Sequence, residues 1–187
     1  MLRAFKQVCK CYADGDADEI SLKPIEVDLD HAKCPSCKKT GDMVRHSKYQ
    51  RRLIRMAFSK PDDTIIDIEV LHCRSCKHFH ALLPLVVIPH LSYSVTFIAY
   101  LMGDWLDRRF ACIDSLCEHY RISVKTFLRL RKRFIGCVAI LCGVTDARNN
   151  MHKVVLTLMT PDTIELAGFL YEFFTITARS FCQTLPP

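Results

Sequence analysis

The sequence predicts an α+β fold in which a strand-rich first half is followed by a helical second half. Residues 43–72 are rich in β-branched and aromatic residues, two matched Cys-x-x-Cys pairs flank this stretch, and apolar residues recur at helical spacing after residue 92. With 187 residues, 50% of them hydrophobic, the chain can form one modest core or two small units.

Three strands are predicted between the cysteine pairs, at residues 43–49, 52–58 and 64–72. Pro61-Asp62-Asp63 is a turn signal between the last two. We expect an extended segment over residues 82–88 to end this unit.

The two Cys-x-x-Cys pairs are the strongest chemical signal in the chain. Four thiolates in two such turns form a tetrahedral zinc site, so we predict one structural Zn²⁺ in a β-ribbon. The predicted ligands are Cys34, Cys37, Cys73 and Cys76. Four unrelated buried cysteines are the alternative, which the matched spacing disfavours. Replacement of one sulfur by a histidine also stays open, and the candidates are His72, His78, His80 and His90.

The remaining cysteines indicate a reducing compartment. Eleven is an odd number, and the opening MLRAFK is too polar for a signal peptide, so we expect a cytoplasmic protein. Cys9 and Cys11 are a weak alternative metal pair without a partner pair. The others lie among apolar residues and are predicted to be core, namely Cys112, Cys117, Cys137, Cys142 and Cys182.

The net charge of +6 is unevenly distributed. Residues 14–30 carry seven acids and one lysine, residues 43–60 carry six bases and no acid, and residues 108–133 carry eight bases and two acids. Two separate basic segments predict two contact surfaces for a polyanion, the alternative being ordinary solvated faces.

Helical spacing predicts three helices in the second basic segment and just before it. The first begins near Ser92 or Ser94, the second spans residues 112–120, and Ser123 caps the third after an interruption at Arg121. A helix, a short turn and a second helix with a basic face is the layout of a helix-turn-helix, whose second helix enters the major groove. The predicted buried face of that helix consists of Val124, Phe127, Leu128, Phe134, Ile135 and Val138, with Arg131 directed toward it.

Position along this helix assigns roles in DNA binding. Residues in the first turns approach base edges, whereas residues farther along or outside the helix meet phosphates. The base-reading candidates are Lys125, Thr126 and Arg129. The phosphate candidates are Arg121, Lys132 and Arg133 from this unit and Arg51, Arg52 and Arg55 from the ribbon.

Two apolar stretches need separate interpretation. Residues 81–103 lack Asp, Glu, Lys and Arg and are long enough to cross a bilayer, but Pro84, Pro89 and a polar middle argue against a membrane span. After an apolar helix over residues 134–144 and a break at 146–150, Pro161 is predicted to open a last helix. Its aromatic face is core or, alternatively, a homodimer contact, and consists of Leu166, Phe169, Leu170, Phe173 and Phe174.

The order of these features resembles a small bacterial family of zinc-ribbon and helix-turn-helix proteins, itself similar to the N-terminal DNA-binding part of insertion-sequence transposases. The resemblance covers residues 30–135 and implies a DNA-binding role connected with mobile elements. It rests on Cys34-Pro-Ser-Cys37, the strand with Arg51 and Arg55, Cys73-Arg-Ser-Cys76, His80-Ala-Leu-Leu-Pro84, Pro89, Tyr93 and Tyr120-Arg-Ile-Ser-Val-Lys-Thr126.

The chain departs from those transposases after the basic helix, where they continue into a catalytic domain with metal-binding carboxylates. The acids that follow here are too few for a two-metal site, and they are Asp146, Asp162, Glu165 and Glu172. We therefore expect a non-enzymatic, zinc-dependent protein that binds specific double-stranded DNA, in transposition or in transcription, alone or with a partner protein. A protein- or RNA-binding ribbon is the alternative, and a membrane-associated protein is a weaker one.

The predicted organisation has four parts. Residues 1–29 form an acidic N-terminal segment, residues 30–91 the zinc ribbon, residues 92–145 the helix-turn-helix unit and residues 146–187 a C-terminal helical segment.

Overall fold

The computed structural model describes residues 2–3, 28–57, 60–84, 86–142 and 147–159 and the single positions 169, 173 and 182, with backbone alone at 2–3, 141–142 and 147–150. Its elements confirm an α+β fold with strands before helices. The strands are β1 (Leu2–Arg3), β2 (Met43–Ala57), β3 (Lys60–Cys73) and β4 (Phe79–Leu83). The helices are α1 (Val95–Leu106), α2 (Ile113–His119), α3 (Val124–Cys142) and α4 (Ala147–Met159).

Strands β2, β3 and β4 form an antiparallel sheet, and β1 pairs parallel with β4 at its other edge. The β2–β3 hairpin runs from the Met43–Cys73 pair to the Ala57–Lys60 pair, with a shift of register between Arg45 and Ser47. Two predictions are therefore wrong. Residues 43–49 and 52–58 do not form two strands, and Pro61-Asp62-Asp63 lies inside β3.

Cross-strand ion pairs explain why this acidic stretch is strand rather than turn. Asp63 accepts both from Nε and from Nη2 of Arg52, and Asp62 accepts from Nε of Arg55 at 3.1 Å. Opposite charges on facing strands stabilise a ladder, and Pro61 is tolerated because it is only the second residue of β3.

The starts of the first three helices follow the sequence signals. Ser94 accepts a hydrogen bond from the backbone N–H of Phe97 at 3.0 Å, and Ser123 accepts one from the N–H of Thr126 at 3.1 Å. The predicted break at 146–150 is wrong from residue 147 onward, where α4 begins. Residues 143–146 lie outside the described part of the chain, as does most of the helix predicted after Pro161.

One hydrophobic core joins the sheet to the helices. Leu53 and Ile68 from the hairpin are fully buried together with Phe97, Phe127 and Phe134 from α1 and α3. The core prediction holds for Cys117, Cys137, Cys182 and Phe173, which are all buried. Backbone hydrogen bonds reinforce the junction, since the N–H of Ile54 donates to the carbonyl of Ser92 and its carbonyl accepts from the N–H of Ser94.

The buried face of α3 is rotated from the predicted one. Leu128 and Ile135 are 42% and 37% exposed, whereas Leu130 and Cys137 are buried in their place. Both sets fit helical spacing, and packing against α1, α2 and α4 selects the second. Arg131 borders this face with its guanidinium carbon 5.3 Å from the ring centre of Trp105, so its charge lies over an aromatic face.

The prediction that Cys112 is a core residue is wrong, because its side chain is exposed. Its sulfur accepts from the N–H of Ser115 at 3.5 Å and caps α2. Cys9 and Cys11 and the side chain of Cys142 lie outside the described residues.

Within the described ranges, no helix has the length and apolarity needed to cross a bilayer. Residues 81–103 are divided between the end of β4, a connecting segment and α1.

Candidate metal centre and basic helix face

Two matched turns bring the four cysteines together, and we call each of them a knuckle. In the first knuckle the N–H of Lys38 donates to the carbonyl of Cys34 at 2.9 Å, and in the second the N–H of Lys77 donates to the carbonyl of Cys73 at 2.9 Å. The N–H of Cys34 donates to the carbonyl of Lys39, and the N–H of Cys73 donates to the carbonyl of His78. The same local hydrogen bonding therefore presents each pair of thiols.

The sulfur geometry fits a tetrahedral metal ion. The Sγ atoms of Cys34 and Cys76 are 3.6 Å apart, those of Cys37 and Cys73 are 3.7 Å apart, and all four lie within 4.8 Å of one another. A tetrahedron with zinc–sulfur bonds of 2.3 Å has edges of about 3.8 Å. The predicted cluster of four cysteines is confirmed, and its donor set suits Zn²⁺, which four thiolates hold with no open coordination position.

The charges of four neighbouring thiolates also favour a bound cation. Although burial opposes ionisation of Cys34, the N–H groups of Cys37 and Ser36 lower the pKa of its thiol to about 5. Although the N–H of His78 favours the thiolate of Cys76, burial and the three neighbouring sulfurs raise its pKa to about 11. Without a metal the four sulfurs cannot all carry charge, because like charges this close repel.

His80 is the histidine that lies against the cluster. Its side chain is buried, and Nε2 lies 3.4 Å from the sulfur of Cys34. The other candidates are placed differently, since Nδ1 of His78 faces the carbonyl of Cys76 and His90 is an exposed loop residue. With four sulfurs already grouped, His80 is positioned to donate an N–H to a metal-bound thiolate and hold its charge.

Replacing His80 by alanine is therefore expected to weaken zinc retention about tenfold, because hydrogen-bonding neighbours of metal ligands contribute at that level. The rate of zinc transfer to a chromogenic chelator measures this. His80→Gln, whose amide N–H also donates, is expected to recover part of the loss. His119→Ala, at an exposed position of α2, is the matched control, and equal zinc release from His80→Ala and wild type would contradict the role.

Both knuckles place a lysine in a left-handed backbone conformation. Lys38 has φ 65° and Lys77 has φ 62°, each directly after the second cysteine of its pair. Glycine adopts this region without the clash of a Cβ atom, so a lysine here carries local strain. Lys38 offsets part of it through a 2.8 Å hydrogen bond from Nζ to the carbonyl of Pro35.

Lys77→Gly is accordingly expected to raise the free energy of unfolding by about 1 kcal/mol, since it removes the left-handed strain. Guanidinium denaturation in the presence of zinc measures the change. Lys77→Ala keeps the Cβ atom and is expected to bring no gain, so stabilisation by both variants would point to charge rather than backbone strain.

The basic face of α3 lies opposite its buried face. Lys125, Arg129 and Lys132 are exposed and share one side of the helix, whereas Phe127 and Leu130 are buried on the other. The other residues predicted to contact DNA lie beside this face, and each has a different environment. Burial and then the charge of Arg129 lower the pKa of Arg133, Thr126 Oγ1 lies 2.9 Å from Ser123 Oγ, and Arg121 is exposed in the turn with φ 52°.

The ribbon arginines make contacts within the protein. Nη2 of Arg51 donates to the carbonyls of Ile88 and Leu91, both at 2.6 Å, and burial lowers the pKa of this guanidinium. Arg52 and Arg55 form ion pairs with Asp63 and Asp62 of β3. The sequence pattern does not reveal these two ion pairs, because it assigns Asp62 and Asp63 to a turn. The predicted contacts of all three arginines with DNA stay predictions.

Comparison with known proteins gives one match. Residues 34–119 are similar to the family described as "Domain of unknown function (DUF6431)". The matched region begins at the first ligand cysteine and ends at the last residue of α2, so α3 follows it. No curated protein and no solved structure matches.

Proposed function

We propose that this protein binds specific double-stranded DNA through a helix-turn-helix made by α2 and α3, with the zinc ribbon as its support. The observation that carries the proposal is the basic face of α3, which is solvent-facing along three successive turns while the opposite face is anchored in the core. Four residues, 120–123, separate α2 from α3, the turn length that this motif uses.

The turn is fixed by its own contacts. Tyr120 is buried, and its hydroxyl donates to Asp104 of α1 at 2.7 Å. The N–H of Ile122 donates to the carbonyl of Cys117 at 3.0 Å, and Ser123 caps α3. A fixed turn supports recognition because it presents the start of α3 at a constant angle.

Roles along α3 follow from this placement. Lys125 and Arg129 lie in the first two turns and are proposed to reach base edges, with Thr126 beside them. Lys132 and Arg133 are farther along, and Arg121 lies in the turn, so these three are proposed to meet phosphates and to set the register on the duplex.

Zinc has a structural role in this proposal. Four sulfur ligands leave no position for substrate, which supports a non-catalytic site. Arg51 links the hairpin to the segment before α1, so an ordered ribbon helps to hold α1, against which α2 and α3 pack. The resemblance to transposase DNA-binding regions supports a place at mobile-element ends or at promoters, with a second copy or a transposition or transcription protein as partner.

Binding of duplex DNA over a salt series tests the proposal. For zinc-loaded protein we expect log affinity to fall linearly with log salt with a slope between about −3 and −5, since each phosphate contact contributes about −0.9. Selection from random duplexes should then return a preferred sequence. A folded, zinc-loaded protein without salt-dependent duplex binding would contradict the proposal.

A further inference from the structure

Three aromatic rings form an exposed strip across the sheet at its knuckle end. His46, His72 and Phe79 come from β2, β3 and β4, and both histidine rings have their centres 4.8 Å from the centre of Phe79. Phe79 is 57% exposed although it is a large apolar residue. We call these three residues the aromatic strip.

The face that carries the strip is free of acids between residues 64 and 72 of β3. Side chains alternate along a strand, and directly paired residues share a face. His72 pairs with Val44 and Phe79, so the even-numbered positions of β3 and their partners belong to this face. They are Thr64, Ile66, Ile68, Val70 and His72 on β3, Val44, Ser47, Tyr49, Arg51 and Leu53 on β2, and Phe79, Ala81 and Leu83 on β4. His46 lies where the register of β2 shifts, and its ring contacts with His72 and Phe79 place it on the same face. The acids Asp63, Asp67 and Glu69 project from the opposite face.

The helices cover only part of this face. Leu53, Ile68 and Leu83 are buried in the shared core. Toward the knuckles, Tyr49 is 42% exposed and Phe79 is 57% exposed. In the described part of the chain, the knuckle half of the face is thus open to solvent.

Two exposed cations lie close to the strip in sequence. Lys77 precedes Phe79 by two residues, and Arg74 follows His72 by two. Two acids of the same layer have partners, since Asp42 accepts from the hydroxyl of Ser75 and Asp28 from His31. Asp30 is exposed. Exposed ring faces with cationic side chains close by suit a ligand that is itself aromatic and anionic.

We propose that the aromatic strip is a second nucleic-acid site, which stacks the unpaired bases of a single strand while Arg74 and Lys77 contact its phosphates. Base stacking on exposed rings combined with a basic border is how sequence-tolerant single-strand sites are built. A protein partner fits less well, because an apolar partner face would leave Arg74 and Lys77 without counter-charges. The site is separate from α3 and does not depend on duplex binding.

The first test is binding of a fluorescent 15-nucleotide strand, followed by anisotropy, with oligo(dT) and oligo(rU) as separate arms that distinguish DNA from RNA. Phe79→Ala is expected to weaken binding about tenfold in the arm that binds more tightly, the usual effect of removing one stacking ring. Ile65→Ala is the matched control, because Ile65 is 66% exposed on the opposite face of the same sheet. Unchanged affinity in Phe79→Ala, or an equal loss in Ile65→Ala, overturns the proposal.

Lys77→Gly distinguishes a lost contact with the single strand from a loss caused by misfolding. This variant is expected to be more stable than wild type, yet to reduce the slope of log affinity against log salt for the single strand by about 0.7, the share of one phosphate contact. Arg129→Glu is expected to reduce duplex affinity far more than single-strand affinity, and Phe79→Ala the reverse, so failure of the strip and failure of the helix-turn-helix are distinguishable. If Phe79→Ala instead dissociates a dimer and leaves single-strand affinity intact, the strip is a protein contact and the proposal falls.

Discussion

Cys37→Ser is expected to abolish zinc retention and to unfold the knuckle layer. Cys37 is only half-buried, so serine itself adds little strain, and the loss is that of a metal ligand. Structural zinc contributes on the order of 10 kcal/mol to folding in small zinc domains. The knuckle core cannot replace this, because among the described residues it consists of five buried ones, which are Ala32, Cys34, Met43, Leu71 and Cys73.

The unfolding is expected to be local. The large core is a separate cluster that includes Leu53 and Ile68 of the hairpin and the helices, so α1 and α3 should persist. Elemental analysis gives the zinc content, and hydrogen exchange compares residues 31–43 and 73–80 with α1. Fast exchange confined to the knuckles is the expected pattern.

Cys112→Ser is the matched control for the thiol count. Cys112 is exposed and caps α2, and serine is itself a good cap, so this variant should keep zinc and stability. Protected knuckle amides in zinc-free Cys37→Ser would show that the layer is held by its core alone and would remove zinc from the account of the fold.

The features that sequence predicted well are those in which few neighbouring residues determine the outcome. The spacing within each Cys-x-x-Cys pair dictates a tight turn that points two sulfurs at one position, whatever lies between the pairs. Ser94 and Ser123 cap helices through hydrogen bonds to the backbone three residues on. Such signals survive folding because the groups they need are local.

The errors concern features decided by distant partners. Pro61-Asp62-Asp63 has turn composition, but Arg52 and Arg55 across the hairpin hold it as strand. Leu128 was as plausible a core residue of α3 as Leu130, and only the position of the neighbouring helices distinguishes them. Local spacing cannot encode a choice that depends on which surface another element covers.

Two site residues depended on the same kind of information. Arg51 was predicted to contact DNA because it lies in a basic run, and its position beside the carbonyls of Ile88 and Leu91 follows from the tertiary fold. His80 was one of four candidate histidines, and strand pairing of β3 with β4 singles it out by setting it against Cys34. In both cases composition identified the group and topology assigned its role.

Arg129→Glu is expected to weaken duplex binding roughly 10- to 100-fold, because a contact to a base edge is worth about 1–3 kcal/mol and the reversed charge also repels the DNA. Anisotropy with a selected duplex measures the loss. Lys153→Glu is the matched control, since it makes the same change in net charge at an exposed position of α4 and should have a small effect at moderate salt. Similar losses in both variants would indicate attraction by net charge rather than docking of α3.

Although Arg129→Glu is expected to lose duplex affinity, its free energy of unfolding is expected to rise slightly. Arg129 lies four residues after Lys125 and three and four residues before Lys132 and Arg133, so the native helix places like charges at neighbouring positions. A carboxylate at this position converts repulsive pairs into attractive ones, each worth about 0.2–0.5 kcal/mol, and the free protein should become slightly more stable. A DNA-binding face requires such a basic cluster. Repulsion among its charges lowers the stability of the free protein, and the phosphate charges offset this repulsion in the complex. A variant that gained stability and kept its affinity would show that the cluster is merely a solvated face.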